Sequence, residues 1–86
     1  MDRKHINEIL ERMNCLERMK NKYEDRSTDL YQRGEVERSI RLDYKVEQYE
    51  AEINGMEFVL RRFGLGVWRT KDGEWVIPDD DIKRAI

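Results

Sequence analysis

Eighty-six residues with 17 basic and 19 acidic side chains, a formal net charge of −2, are too few for more than one domain and too evenly charged for a general pull toward nucleic acid or an anionic membrane. Charged residues make up 42% of the chain and hydrophobic residues 38%, with a single proline, which favours helix. The one cysteine, Cys15, excludes an internal disulfide, and no apolar run approaches a membrane span. The N-terminal segment also lacks the apolar core of a signal peptide, so the expectation is a soluble, cytoplasmic protein with no membrane partner.

From Asp2 to about Arg33 apolar residues recur at heptad spacing. Ile6, Ile9, Met13, Leu16, Tyr23 and Leu30 hold the a and d positions, Lys20 and Ser27 are polar insertions, and Leu10, Met19 and Tyr31 widen the stripe. Asp2 is positioned as the N-cap. A second stripe runs through Leu42, Val46, Tyr49, Ile53, Met56, Leu60 and Phe63, out of phase with the first. Gly34 lies in the phase break, where a glycine ends a helix readily.

Folding the chain back at Gly34 pairs residues whose numbers sum to about 69, with each a position facing a d position. That register sets Ile6 against Phe63, Ile9 against Leu60, Met13 against Met56, Leu16 against Ile53 and Tyr23 against Val46. Lys20 then faces Tyr49, with its stem on the ring and its ammonium in water. A competing reading breaks the first helix at Ser27-Thr28-Asp29, an N-cap-like sequence, and gives three helices. Arg61, Arg62 and Gly64 mark the end of the second helix, and Leu60 with Leu65 form the hydrophobic pair of a Schellman cap.

Beyond Gly64, Asp72-Gly73 separates two β-rich runs and predicts a two-residue hairpin. This pairs Lys71 with Glu74, Thr70 with Trp75, Arg69 with Val76 and Trp68 with Ile77, so that Trp68, Thr70, Trp75 and Ile77 share a face. Pro78 ends the strand, and Asp79-Asp80-Asp81 cap a short turn from Ile82 to Ile86. The predicted architecture is mainly α: residues 1–63 form a long antiparallel two-helix coiled-coil hairpin and residues 64–86 a small C-terminal β-hairpin and tail. Together they make one domain, expected to assemble into an oligomeric helical bundle.

No set of residues points to catalysis, to a cofactor or to a metal centre. His5 has no second ligand at metal spacing, the three consecutive aspartates read as a cap, and no base is placed to activate Cys15. Glu8–Arg12, Glu37–Arg41 and Glu57–Arg61 read as exposed i,i+4 pairs. The functional signal is uncovered apolar surface. Val36, Ile40, Tyr44 and Phe58 lie off the seam, and a hairpin with Trp68, Trp75 and Ile77 on one face needs cover. These seven residues are the expected interface, with another copy of the chain or with another protein. A second reading makes Trp68 and Trp75 with Arg61, Arg62, Arg69 and Lys71 a pocket that stacks a base and holds a phosphate of a nucleotide or nucleic acid. A non-enzymatic interaction module (adaptor, inhibitor or regulator) acting as a homo-oligomer is the leading expectation. Its style resembles that of small phage or bacterial accessory proteins, without a motif that carries the likeness.

Overall fold

The structure, a computed structural model, describes residues 2–86. Two long helices, α1 (Arg3–Gln32) and α2 (Val36–Arg62), pack against each other. A two-stranded antiparallel sheet follows, β1 (Trp68–Arg69) with β2 (Trp75–Val76), and the chain ends in α3 (Asp79–Ala85). The molecule measures 51 × 21 × 16 Å, its long axis set by the 30 residues of α1.

Asp2 caps α1 as expected, its Oδ1 accepting the His5 N–H at 2.9 Å. The helix does not break at Ser27-Thr28-Asp29. Thr28 turns its hydroxyl back to the Glu24 carbonyl, and Ser27 points inward, 2.8 Å from Ser39 Oγ and 2.5 Å from Asp43 Oδ1. Ser39 also donates to the Ser27 carbonyl at 3.0 Å. Two small buried hydroxyls thus satisfy each other where a larger apolar pair would hold the helices further apart.

Both long helices end in the same device. Gly34, at φ 84°, lets the Glu35 N–H reach the Leu30 carbonyl and its own N–H reach Tyr31. Gly64, at φ 81°, repeats this with Leu65 to Leu60 and its own N–H to Arg61. The first glycine turns the chain back, and the second sends it across the open end of the hairpin.

The seam follows the heptad reading at Ile6, Met13, Leu16, Leu30, Val46, Ile53 and Leu60, all buried. It departs from that reading at two positions. Phe63 does not meet Ile6, since it is the C-cap of α2 and 53% exposed. The chain leaves the helix there, and Leu65, Val67, Trp75, Ile77 and Ile82 from the C-terminal segment join Ile6 in one core cluster. Lys20 does not lie on Tyr49 with its ammonium in water. Tyr49 stacks on Tyr23, centroids 5.8 Å apart, and Lys20 is buried with its Nζ 3.2 Å from Glu17 Oε2.

The β-hairpin register differs by one residue from the two-residue turn. A type I′ turn needs positive φ at both central positions, and only Gly73 adopts it, at φ 84°. The loop is therefore Lys71-Asp72-Gly73, closed by the Gly73 N–H to the Thr70 carbonyl and the Thr70 N–H to the Glu74 carbonyl. The pairs are Trp68 with Val76 and Arg69 with Trp75. A one-residue slip reverses every side chain. Val67, Trp75 and Ile77 are buried, and Trp68 faces solvent. Asn14 of α1 clamps the second strand by donating Nδ2–H to the Trp75 carbonyl at 3.1 Å and accepting the Trp75 N–H at 2.6 Å.

α3 starts earlier than the sequence suggested. Pro78 is its N-cap, and Asp79, Asp80 and Asp81 form its first turn, where carboxylates complement the helix dipole. Asp81 Oδ2 accepts the Gly66 N–H at 2.8 Å and Oδ1 pairs with Arg84. The Gly66 N–H, then Arg84, hold the Asp81 carboxyl below its ordinary pKa of 3.8. A depressed carboxylate stabilises the fold fully above its unfolded pKa, and that contribution is lost as pH falls below 3.8 through the folded value. Wild-type stability is accordingly expected to drop over that acid range. Asp81→Asn should be less stable at neutral pH and lose less on acidification, as read from thermal melts between neutral pH and about pH 3.

Candidate interaction surface

Uncovered apolar side chains gather on the outer side of α2. Tyr44, Ala51 and Phe58 each precede a seam residue (Val46, Ile53, Leu60) by two positions, about 200° around an α-helix, and so point away from α1. Ile40 and Val36 follow in steps of four toward the hairpin tip, drifting about 40° per step so that Val36 reaches the edge of the seam. Val36 and Ile40 are 45% and 47% exposed, and Tyr44 and Phe58 are both 63% exposed. Four large apolar side chains along one helix face exceed the scattered exposure of an ordinary surface. α2 is therefore apolar on two opposite sides, and α1 covers one of them.

The outer face borders a shallow groove of about 340 Å³ between the long helices, lined by Ile9, Glu52, Gly55, Met56 and Val59. Gly55 lies mid-helix in α2, and a Cβ built on it would meet no atom within 4 Å. Nothing inside the protomer calls for a glycine there.

The chain matches none of the protein-family models, curated proteins or solved structures compared with it.

The proposed pocket of Trp68, Trp75 and four basic residues does not assemble as the sequence suggested, because the register shift puts the two indoles on opposite faces. Trp75 and Ile77, expected at the interface, lie inside the protomer, whereas Trp68 remains outside. Arg61 donates to Glu57 at 3.0 Å and to the Val67 carbonyl at 2.6 Å, bracing the chain where it leaves α2. Arg62 lies over the Phe58 ring, 5.9 Å from its centroid. Arg69 lies over Trp75 at 5.4 Å and pairs with Glu17, and Lys71 is exposed in the loop. Arg61, Arg62 and Arg69 are thus already engaged by the protein's own groups.

Sequence reasoning missed the cleft behind Arg69, about 210 Å³ and lined by Glu17, Lys20, Glu50, Asn54, Glu57 and Trp75 among others. Glu17 is only 3% exposed. One of its oxygens takes the Arg69 guanidinium. The other, Oε2, lies 3.2 Å from Lys20 Nζ but off a hydrogen-bonding direction, so that contact is Coulombic. Leu10, Asn14 and Glu17, spaced by four and three, form the side of α1 that the hairpin covers. Of these, the apolar pattern could flag only Leu10.

The remaining candidates occupy ordinary positions. Cys15 is half-buried and unbonded, and His5 sits 3.0 Å from Asp2 at the start of α1. Asp79 pairs with Arg3, and Arg12 reaches across to Glu52 at 3.7 Å instead of pairing along its own helix. Among the described residues no group of three or more His, Cys, Asp or Glu side chains is arranged to hold a metal ion, and no helix is long and apolar enough to cross a membrane.

Proposed function

We propose that this chain is a non-enzymatic protein-interaction module that works as a homo-oligomer, with the outer face of α2 as its contact surface. The observation that carries the reading is that Val36, Ile40, Tyr44 and Phe58 are all exposed on α2 off the seam, Tyr44 and Phe58 directly opposite it. A long amphipathic helix gains its stability in water by burying its apolar face, and a helix with two such faces needs a second partner. Bundle formation by two helical hairpins supplies one, and a closed pair of identical chains is the commonest soluble assembly. As an adaptor, inhibitor or regulator, such a pair would leave Trp68 and the helix tips for other proteins.

Ile40→Glu tests the surface. Ile40 is about half exposed, so the protomer should keep its fold and its helical circular dichroism. Self-association should weaken at least tenfold, because a carboxylate would be buried unpaired in the contact. Sedimentation velocity of the variant beside the wild type reads this directly. Equal association of the two would rule out the α2 face as the contact.

A further inference from the structure

We infer that two copies of the chain pack antiparallel through the outer faces of α2 about a two-fold axis, with the Tyr44 ring of each copy seated over Gly55 of the other. The inference rests on the self-association proposed above and adds its geometry.

Area argues for a second copy as the occupant. The chain exposes 6257 Å², whereas a compact monomer of 10.5 kDa exposes about 5,400 Å². The excess of about 800 Å² matches what each partner contributes to a standard-size interface.

Self-complementarity fixes the register. In an isologous contact, if residue i meets residue j then j meets i, so antiparallel partners share a nearly constant sum. A two-fold near the middle of α2 sets Val36 against the stem of Arg62, Ile40 against Phe58, Tyr44 against Gly55 and Glu47 against Ala51. The large, exposed Tyr44 thereby meets the one position on the face without a side chain. Beside Gly55 the apolar groove of Ile9, Met56 and Val59 provides room for the ring. This gives the mid-helix glycine a purpose that the protomer alone does not, since glycine weakens a helix that alanine would strengthen.

The test uses two variants of the full chain, Gly55→Leu and Tyr44→Ala, measured alone and as an equimolar mixture by sedimentation equilibrium. Both positions are exposed, and space is open at Gly55, so each variant should retain the wild-type fold and helical circular dichroism. Alone, Gly55→Leu should dissociate at least tenfold more readily than wild type, because the introduced isobutyl group blocks Tyr44 at both contacts. Tyr44→Ala should weaken through two unfilled spaces. In the mixed dimer one contact is the native Tyr44 over Gly55, and the other sets the introduced leucine side chain against the introduced alanine methyl. The mixture should therefore associate more tightly than either variant alone. A mixture no tighter than its parents, or a Gly55→Leu variant that associates like wild type, would overturn this register while leaving self-association through α2 intact. A monomeric wild type would overturn both.

Discussion

Leu60→Ala is expected to destabilise the chain by about 3–4 kcal/mol, within the roughly 2–5 kcal/mol typical of truncating a buried leucine to alanine. Leu60 is fully buried and has two roles. It is the last seam residue of α2, and its carbonyl accepts the Leu65 N–H that turns the chain toward the sheet. Its side chain belongs to the cluster joining Ile6 to Leu65, Val67 and Ile82, so a cavity there loosens both layers at once. A domain of this size has roughly 5–10 kcal/mol of stability, and the variant should show a large drop in its urea midpoint. Phe63→Ala is the informative control. The heptad pattern alone ranks Phe63 with Leu60 as a seam residue, whereas its exposed C-cap position predicts a loss below about 1 kcal/mol. Similar losses for the two variants would mean that the helix ends are wrongly described.

Arg69→Met is expected to cost about 2 kcal/mol. The substitution leaves the buried Glu17 carboxylate with only the off-axis Lys20 ammonium for company and removes the guanidinium lying over Trp75. Breaking a fully buried pair costs about 3–5 kcal/mol, and the figure is reduced here because the Arg69 side chain is about half exposed and water screens it. A double-mutant cycle with Glu17→Gln isolates the pair. The double variant should be more stable than the sum of the single losses predicts by about 1–2 kcal/mol, since removing the carboxylate's charge also removes the penalty of leaving it unpaired. Additive losses in urea unfolding would show that Arg69 and Glu17 do not act as a pair.

Much of the helical hairpin could be read from the sequence because helix periodicity and glycine punctuation act locally. The phase break at Gly34 and the Leu60–Gly64–Leu65 cap each lie within a few residues, and the structure has both. The sheet was harder for an equally physical reason. Asp72-Gly73 is compatible with a two-residue loop and with a three-residue loop ending in a left-handed glycine, and these differ by one residue in register. That residue decides which first-strand side chains share the covered face with Trp75 and Ile77, Val67 and Arg69 rather than Trp68 and Thr70. The strand is held in place by Asn14, 61 positions before Trp75 in the chain, which clamps the Trp75 backbone.

Candidate surface residues divided along the same line. Val36, Ile40, Tyr44 and Phe58 were visible as apolar residues left over from one helix's own pattern, and all four are exposed. Their use as an interface is a further step. Glu17, Lys20 and Arg69 come together only through tertiary packing; in sequence Glu17 and Arg69 look like surface charges in a chain rich in them, and Lys20 like a seam insertion reaching water. Gly55 reads as an unremarked helix glycine until its surroundings are found to be open.

The most direct test of the central claim, that the outer face of α2 joins copies of this chain, is the molar mass of the wild-type protein by light scattering from a few to about a hundred micromolar. About twice the 10.5 kDa chain mass is expected at the upper end, falling toward the single-chain value on dilution. A mass of one chain throughout that range would contradict it.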